Sequence, residues 1–259
     1  MSVQKSWSEL QTMARACRIV VDTLDALEAA AEPGVTTKEM DRIAREHIER
    51  AGARPAFLGY RGYPATLCIS VNEEVVHGIP GPRKLREGDI VGLDLGCVVD
   101  GFFGDAARTV AVGRPSEEAA RLMKVTREAL SAGIDTCHPG KRVGDIGHAV
   151  QAHAERHGYS VVREFVGHGI GTSLHEEPQV PNYGPPGRRE RLVAGMCLAI
   201  EPMVNVGRPE VEVLADGWTA VTRDRSLSAH FELSVAVTAL GPWILSEPWP
   251  YGQAEAANA

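Results

Sequence analysis

The sequence predicts an α+β fold in which two similar halves pair their strands into one curved antiparallel sheet, with helices covering its outer face. One observation is an internal repeat: the helical segment after Pro33-Gly34 recurs after Pro139-Gly140, and matching residues keep a constant offset of 106. Another is that an apolar strand ends on a carboxylate in both copies, at Asp94 and at Glu201, with an offset of 107. Short patterns also match by chance, but the matching carboxylates favour duplication of one unit.

Hydrophobic spacing predicts the same order of elements in each half. Apolar residues at helical intervals predict a first helix from about Leu10 to Ala30, and its counterpart from Ala119 to Ile134. After the Pro-Gly break, a second amphipathic helix follows in each half, over Thr37 to Arg50 and over Val143 to His157. A glycine comes soon after each of these, as is common where helices end. Strand-like segments complete the two units.

The two units, about residues 8–112 and 114–240, are expected to form a single domain over residues 1–245. A chain of 259 residues can bury a substantial core without disulfides or structural metals. We expect residues 246–259 to form a flexible tail, because this segment contains little that could pack against a core.

The composition indicates which binding partners and which cellular compartment suit this protein. A net charge of −7 without basic clusters argues against nucleic acid and against an anionic membrane as the main partner. The five cysteines are scattered and form no Cys-x-x-Cys pair, so we interpret them as reduced thiols of a cytoplasmic protein. The apolar run Ile19 to Val21 stops at Asp22, and no stretch approaches the roughly 18 apolar residues of a membrane helix.

Two aspartates fall on a predicted hairpin. Asp100-Gly101 is a strong signal for a two-residue turn, and that turn would pair Asp94 with Ala107 and Asp105 with Gly96. Because side chains alternate along strands, Asp94 and Asp105 would then be diagonal neighbours on one face. Two like charges on a half-buried sheet repel each other, and a bound cation would offset that repulsion. For an isolated pair of aspartates, solvation on an outer face or an ion pair between one of them and Arg108 would be the preferred explanation.

Three further ligand-type residues favour a cation site over these alternatives. His168 lies among glycines, Glu201 ends a buried strand, and Glu232 lies inside a strongly β-forming run. Each of the three is weak evidence alone. Together with Asp94 and Asp105 they form a hard, oxygen-rich set that could hold two divalent cations, of the kind that binds Mn, Co, Fe(II) or Zn. Two such ions can activate a water molecule and polarise an amide carbonyl, so the set indicates hydrolytic chemistry.

Segments around these residues resemble the methionine aminopeptidases in order and spacing. The resemblance covers about Ser8 to Gly241, and the segments that carry it are Cys68–Pro80, Asp94–Asp105, Gly167–Gly171 with His175–Pro178, Ile200–Met203, and Asp224–Ala229 with Glu232. It implies the pita-bread fold of that family, with two pseudo-symmetric halves. It also implies a cytoplasmic metalloaminopeptidase that removes the initiator methionine when the second residue is small. Nascent polypeptides would be its partners, and the ribosome surface a further candidate partner.

The resemblance implies a role for each of the five ligands. Asp94 would chelate one of two divalent ions, His168 and Glu201 would hold the other, and Asp105 and Glu232 would bridge both. Glu201 would also act as general base for the attacking water. The short stretch between Glu201 and Glu232, without an inserted helical subdomain, and the lack of a cysteine-rich N-terminal extension resemble a bacterial type I enzyme.

Substrate contacts are likewise carried over from the resemblance. His175 would stabilise the tetrahedral intermediate, and His77 would contact the scissile amide or the N-terminal end of the substrate. The positions that match the methionine pocket are Phe57, Tyr63, Cys68, Leu174 and Trp218.

Several positions depart from the usual family pattern. The departures are Phe57, Gly96, Cys97, Phe103, Ala106, Ala107 and Leu174. They leave the five ligands intact and bear on metal affinity and pocket shape. Two alternatives therefore stay open: a prolidase-like or aminopeptidase P-like peptidase, which shares the fold and ligand scheme, and a non-catalytic binding homologue. The former usually carries an additional N-terminal domain, and the latter typically loses ligands.

Overall fold

The computed structural model describes residues 4–252 as four α-helices, one 3₁₀ turn and fifteen strands. The helices are α1 (Trp7–Ala30), α2 (Thr37–Arg50), α3 (Glu117–Ile134) and α4 (Val143–Arg156), and the 3₁₀ turn is Tyr60–Gly62. The strands are β1 (Arg54–Pro55), β2 (Cys68–Val71), β3 (Glu74–Val76), β4 (Ile90–Val99), β5 (Phe102–Ala111), β6 (Ser160–Val161), β7 (Gly167–Gly169), β8 (Glu176–Val180), β9 (Cys197–Ile200), β10 (Met203–Asn205), β11 (Val211–Val213), β12 (Ala220–Thr222), β13 (Ser228–His230), β14 (Glu232–Thr238) and β15 (Gly241–Ile244).

A nine-stranded sheet forms the centre of the fold. Its order is β1-β4-β5-β14-β9-β7-β8, with β2 also beside β4 and β15 beside β14. Every pairing in it is antiparallel. Two three-stranded sheets, β13-β10-β6 and β11-β12-β3, lie beside it. The predicted α+β architecture with an antiparallel sheet is therefore confirmed.

The helices cover the sheet in two groups, one for each half of the chain. Apolar faces of α1 and α2 bury Leu24 and Met40 against the first-half strands, where Leu93 is fully buried. In the second half, α3 and α4 bury a separate cluster that includes Ile146 and Leu198. Leu233 packs against both clusters. The amphipathic spacing read from the sequence thus places each helix pair on its own half of the sheet.

Equivalent hydrogen bonds recur in the two halves of the chain. The Gly34 amide donates to the Leu85 carbonyl over 2.8 Å, and the Gly140 amide donates to the Leu192 carbonyl over 2.9 Å. In each half these bonds tie the Pro-Gly turn between the helices to the segment that leads into the carboxylate-bearing strand. The offsets of 106 and 107 therefore relate equivalent contacts as well as equivalent residues.

The expectation that both carboxylate strands end on the acid is wrong for the first half. Strand β4 continues past Asp94 to Val99, because Asp100 and Gly101 adopt the left-handed backbone of a tight hairpin turn, with φ of 48° and 84°. Strand β9 does end next to Glu201. Pro202 follows there, and a proline has no N–H with which to extend the ladder.

The last described residues pack against the first helix. The Trp249 ring centroid lies 4.9 Å from that of Trp7 and 5.2 Å from that of Trp243. The Tyr251 hydroxyl donates to the Pro242 carbonyl over 3.0 Å. Part of the predicted tail therefore has tertiary contacts, and its residues 253–259 lie outside the described range. None of the described helices is long and apolar enough to cross a membrane.

Candidate metal centre

One row of side chains across the central sheet brings the predicted acids together. Cys68 of β2 pairs with Asp94 of β4, and Asp94 pairs with Ala107 of β5. Ala107 pairs in turn with Glu232 of β14. Asp105 lies two residues before Ala107, so it projects from the same face of the sheet. The hairpin register predicted from the sequence is confirmed.

The same row continues into the second half of the chain. Glu201 directly follows β9, and the register of β9 with β14 sets it beside Glu232. His168 of β7 pairs with Ala199, two residues before Glu201 on β9. The His168 Nε2 atom lies 3.5 Å from Glu201 Oε1 and 3.9 Å from Asp105 Oδ2. Four carboxylates and one imidazole thus meet where the two halves join.

The ligand-type atoms of this group are buried and lack partners. Asp105 is 3% exposed and Glu232 is 2% exposed. Asp94 Oδ1, Asp105 Oδ1 and Glu232 Oε1 accept no hydrogen bond from any described residue. Ligand atoms of Asp105, His168 and Glu232 all lie within 4.8 Å of one another. Buried carboxylate oxygens without donors are costly, and a divalent cation is the group that would satisfy them. The residues present therefore fit a metal.

The protonation of the acids reflects this crowding. Burial raises the pKa of Asp94 to about 7. Burial is also the main cause that raises the pKa values of Asp105, Glu201 and Glu232, and repulsion from neighbouring carboxylates adds to it. Without a cation, this group therefore holds protons at pH values where exposed carboxyls are ionised.

His168 has the protonation and orientation of a metal ligand. Burial, with a smaller contribution from His175, lowers the pKa of His168 to about 3, so its imidazole is neutral. Its Nδ1–H donates to the Gly169 carbonyl over 2.9 Å. That bond leaves the lone pair on Nε2, which faces the acids, and fixes the ring.

A cavity of about 140 Å³ lies directly above this group. All twelve site residues predicted from the sequence line it, together with Tyr60 and Arg61. Its apolar wall belongs to a buried cluster that includes Phe57, Tyr63 and Leu174. The cavity therefore has an acidic floor and one largely apolar wall.

Two departures from the family pattern compensate for each other. A Cβ atom on Gly96 would lie 3.0 Å from Phe57 Cε1 and 3.2 Å from Ala56 Cβ. A side chain at position 96 would also meet the Gly104 carbonyl oxygen at 3.0 Å, so its absence leaves room for the Phe57 ring and for the neighbouring strand. Ala107, another departure, is the small residue between Asp94 and Glu232 in the row of acids.

The two histidines outside the ligand group face the same cavity. His175 Nδ1 lies 2.9 Å from the Tyr60 hydroxyl, and its ring centroid lies 4.1 Å from that of His168. Burial is the main cause that lowers the pKa of His175, and the nearby arginine adds to it. Burial also lowers the pKa of His77 to about 4. His77 has a left-handed backbone with φ of 63°, which is uncommon for a side chain of this size. Both imidazoles are neutral near pH 7 and can donate hydrogen bonds.

Sequence reasoning missed Tyr60, Arg61 and His230. Tyr60 and Arg61 belong to the 3₁₀ turn, where no periodic pattern marks them. His230 is 3% exposed, and its Nε2 lies 3.8 Å from Glu201 Oε2 without a hydrogen-bond partner within the described range. Its position two residues before Glu232 was the available signal, since residues two apart along an extended chain share a face.

The sheet and its buried carboxylates define a metalloenzyme site. The sequence profile of metallopeptidase family M24 matches residues 11–239. The chain is 51% identical to the methionine aminopeptidase of Clostridium acetobutylicum, over 95% of this chain and 99% of that protein. It is 48% identical to methionine aminopeptidase 1 of Bacillus subtilis, over 95% of this chain and 99% of that one. The chain belongs to metallopeptidase family M24 and, within it, to the bacterial-type methionine aminopeptidases.

Solved structures agree with this placement. The methionine aminopeptidase of Thermotoga maritima superposes with a TM-score of 0.94 at 44% identity, covering 96% of this chain and all of that one. The prolidase of Pyrococcus furiosus superposes with a TM-score of 0.77 at 21% identity, covering 96% of this chain and 66% of that one. The second likeness shows the shared fold alone. Membership of a metallopeptidase family also agrees with the predicted use of divalent metal ions.

Proposed function

We propose that this chain removes the N-terminal methionine from nascent polypeptides whose second residue is small, by hydrolysing the first peptide bond at a centre of two divalent cations. The observation that carries the proposal is the buried row of acids with unpaired oxygens at the floor of the cavity. Relatives of about 50% identity that bear the name methionine aminopeptidase support the substrate. Nascent polypeptides imply a cytoplasmic site of action, with the ribosome surface as the place where substrates emerge.

The ligands divide between two ions in this proposal. Asp94 would hold one ion, His168 and Glu201 would hold the other, and Asp105 and Glu232 would serve as ligands shared by the two. When bound, the ions activate a water molecule and polarise the scissile carbonyl. Oxygen ligands with a single imidazole accept Mn, Co, Fe(II) or Zn, and availability decides among them.

The chain's own groups complete the chemistry. The carboxylate of Glu201 takes the proton of the attacking water, since it lies at the cavity floor beside the other ligands. Neutral His175 donates a hydrogen bond to the oxygen that becomes negatively charged at the scissile carbonyl. The contact between Tyr60 and His175 holds that ring in place. His77, across the cavity, donates to the substrate backbone.

The apolar wall selects the first side chain. Tyr63 and Trp218 pack edge to face with ring centroids 5.1 Å apart, and the Tyr63 hydroxyl donates to the Gly78 carbonyl over 2.8 Å. The Tyr63 hydroxyl therefore has its hydrogen-bond partner outside the pocket. The aromatic rings are left to face the unbranched thioether side chain of the substrate's methionine. Each missing methylene in such a pocket costs about 1–3 kcal/mol, so shorter side chains bind less well. Because Leu174 and Phe57 give the wall an unusual shape, norleucine should be accepted nearly as well as methionine.

A peptide panel tests the proposal. The purified, metal-loaded chain should release methionine rapidly from peptides that begin Met-Gly, Met-Ala or Met-Ser, and slowly from Met-Lys or Met-Leu. A bulky side chain on the second residue of the peptide would clash where the peptide passes the metals. Comparable rates on Met-Ala and Met-Lys peptides would refute the selection for a small second residue. A clear preference for Ala-Pro over Met-Ala would favour a prolidase-like activity, and a metal-loaded chain without any turnover would favour a binding homologue.

A further inference from the structure

A second group of metal-ligating side chains, separate from the centre described above, lies between α3 and α4. Glu128 comes from α3, His153 from the last turn of α4, and His157 is the residue that ends that helix. Ligand atoms of the three residues all lie within 4.8 Å of one another. His153 Nε2 is 3.3 Å from Glu128 Oε2, and the two imidazole centroids are 4.6 Å apart. All three residues are half-buried.

The spacing of the histidines follows from helix geometry. Residues four apart lie one above the other on a helix face, so His153 and His157 project together toward α3. The buried residues Val150 and Ala154 anchor this part of α4 to the core. The pair is therefore presented by a rigid element to a carboxylate on its neighbour.

A hydrogen bond prepares His157 as a ligand. Its Nδ1–H donates to the backbone carbonyl of His153 over 2.8 Å. A carbonyl oxygen can only accept, so this contact fixes the proton on Nδ1 and leaves the lone pair on Nε2. A backbone carbonyl in this role is the usual partner that orients a metal-binding imidazole.

We propose that Glu128, His153 and His157 form an accessory divalent-cation site that links α3 to α4. Two imidazoles and one carboxylate suit a borderline ion such as Zn²⁺ or Ni²⁺, with water completing the coordination from the solvent side. Bound there, the ion stabilises the second half of the fold and takes no part in peptide hydrolysis.

Two positively charged side chains, Lys124 and Arg156, contact the proposed ligands and would compete with a metal ion. Lys124 Nζ lies 3.8 Å from Glu128 Oε1, and Arg156 Nη2 lies 3.4 Å from His153 Nδ1. A guanidinium can only donate, so Arg156 favours the tautomer of His153 that has its proton on Nε2. Metal binding at Nε2 needs the other tautomer, and the exposed arginine must then move away. Both cationic side chains are exposed and can do so at little cost.

The duplication provides an internal comparison. At the offset of 106, the first-half counterparts of His153 and His157 are His47 and Ala51. His47 Nδ1 lies 3.0 Å from the Thr23 hydroxyl, and alanine has no ligand atom. The proposed site is therefore a property of the second half alone.

Zinc binding to the full chain tests the site. We expect wild type to bind one more Zn²⁺ per chain in equilibrium dialysis than His153→Ala or His157→Ala. The control is His148→Ala, an exposed histidine on the same helix, which should bind as many ions as wild type. Methionine release should be the same in all four proteins. Arg156→Gln should bind the additional ion more tightly than wild type, because it removes the competing guanidinium.

Thermal unfolding in the presence of Zn²⁺ provides a second test of the site. An ion that binds only the folded chain raises its Tm, so Zn²⁺ should stabilise wild type and His148→Ala more than either of the other histidine variants. Glu128→Gln removes the third ligand without touching α4, so it should lose the same ion. It therefore replaces the histidine variants in the test if those fold poorly. Equal Zn²⁺ stoichiometry and affinity in wild type, His157→Ala and Glu128→Gln would overturn the proposal. Because none of these residues lines the catalytic cavity, that outcome leaves the proposed peptidase function intact.

Discussion

Asp94 and Asp105 are diagonal neighbours across one antiparallel strand pair, with Ala107 opposite the first and Gly96 opposite the second. Both are on the face that also carries Glu232, and unpaired oxygens of all three are buried. Neighbouring buried carboxylates repel each other, so this arrangement is stable only when protons or cations neutralise part of the negative charge.

Removing one charge from the proposed bridging ligands should remove the metal. Asp105→Asn and Glu232→Gln keep the side-chain shape, but a neutral amide cannot balance two cations. We expect low metal content and almost no turnover in both variants, measured by elemental analysis and peptide assay. The metal-free variants should fold at least as stably as metal-free wild type at neutral pH, since a repulsive group is gone.

The matched control for these variants is Asp100→Asn in the hairpin turn of the same strands. Asparagine tolerates the left-handed backbone at that position, and Asp100 is exposed. It should leave metal content and turnover unchanged. Full activity of Asp105→Asn and Glu232→Gln with normal metal content would refute the proposed dinuclear centre.

His175 is expected to act on the transition state without holding metal. His175→Ala should lower kcat by about 10²–10³, the scale for one lost donor to a developing oxyanion. Tyr60→Phe removes the partner 2.9 Å from His175 Nδ1 and should cause a smaller loss. Metal content should stay at the wild-type level in both. Loss of metal from His175→Ala, with activity per bound metal retained, would show that His168 and His175 have exchanged roles.

Metal binding should release protons near neutral pH. Burial raises the pKa of Asp94 from 3.8 to about 7, so the metal-free folded chain holds a proton there that the unfolded chain has lost. The contribution of Asp94 to metal-free stability therefore falls as pH rises between these two values. A bound cation needs the carboxylate, and its affinity should rise with pH across the same window.

Titration calorimetry with Mn²⁺ at about pH 7, in two buffers of different ionisation enthalpy, measures the released protons. The observed heat should depend on the buffer in wild type and depend on it less in Asp94→Asn. The increase in Tm that metal causes should likewise be larger at about pH 8 than at about pH 6. Identical heats in both buffers would contradict protonated ligands in the metal-free state.

A buried ion pair should stabilise the loop that carries His175. Lys5 is 7% exposed, and its Nζ lies 2.5 Å from Oε2 of Glu176. Lys5→Met leaves the half-buried Glu176 carboxylate without its cation, which should cost about 2 kcal/mol in the free energy of unfolding. The exposed pair of Arg15 and Asp100 provides the control, since Arg15→Met should cost less than about 1 kcal/mol. Urea unfolding measures both, and equal losses would mean that burial of the first pair has no energetic consequence.

Local signals were enough for much of the site. Asp100-Gly101 fixes the length of the turn, and the turn fixes the register, so the pairing of Asp94 with Ala107 could be predicted. The helix bounds of α2 followed from amphipathic spacing and agree with the structure. In both cases the determining residues are neighbours in the chain.

Tertiary contacts account for what could not be predicted. Phe57 and Gly96 looked like unrelated departures, and only the fold shows that one fills the space left by the other. Tyr60 reaches His175 across 115 residues of sequence. Trp249 packs on Trp7 from the opposite end of the chain, in a segment whose composition suggested a tail. No local pattern encodes such pairs.

Metal add-back to the stripped chain tests the central claim most directly. Methionine released from a Met-Ala peptide is measured after chelation, and again after adding Mn²⁺, Co²⁺, Fe²⁺ or Zn²⁺, for wild type and for Asp94→Asn. We expect no release from stripped wild type, recovery with at least one ion, and no comparable recovery in the variant. Release that persists in the stripped chain, or that recovers fully in Asp94→Asn, would contradict metal-dependent hydrolysis at this row of carboxylates.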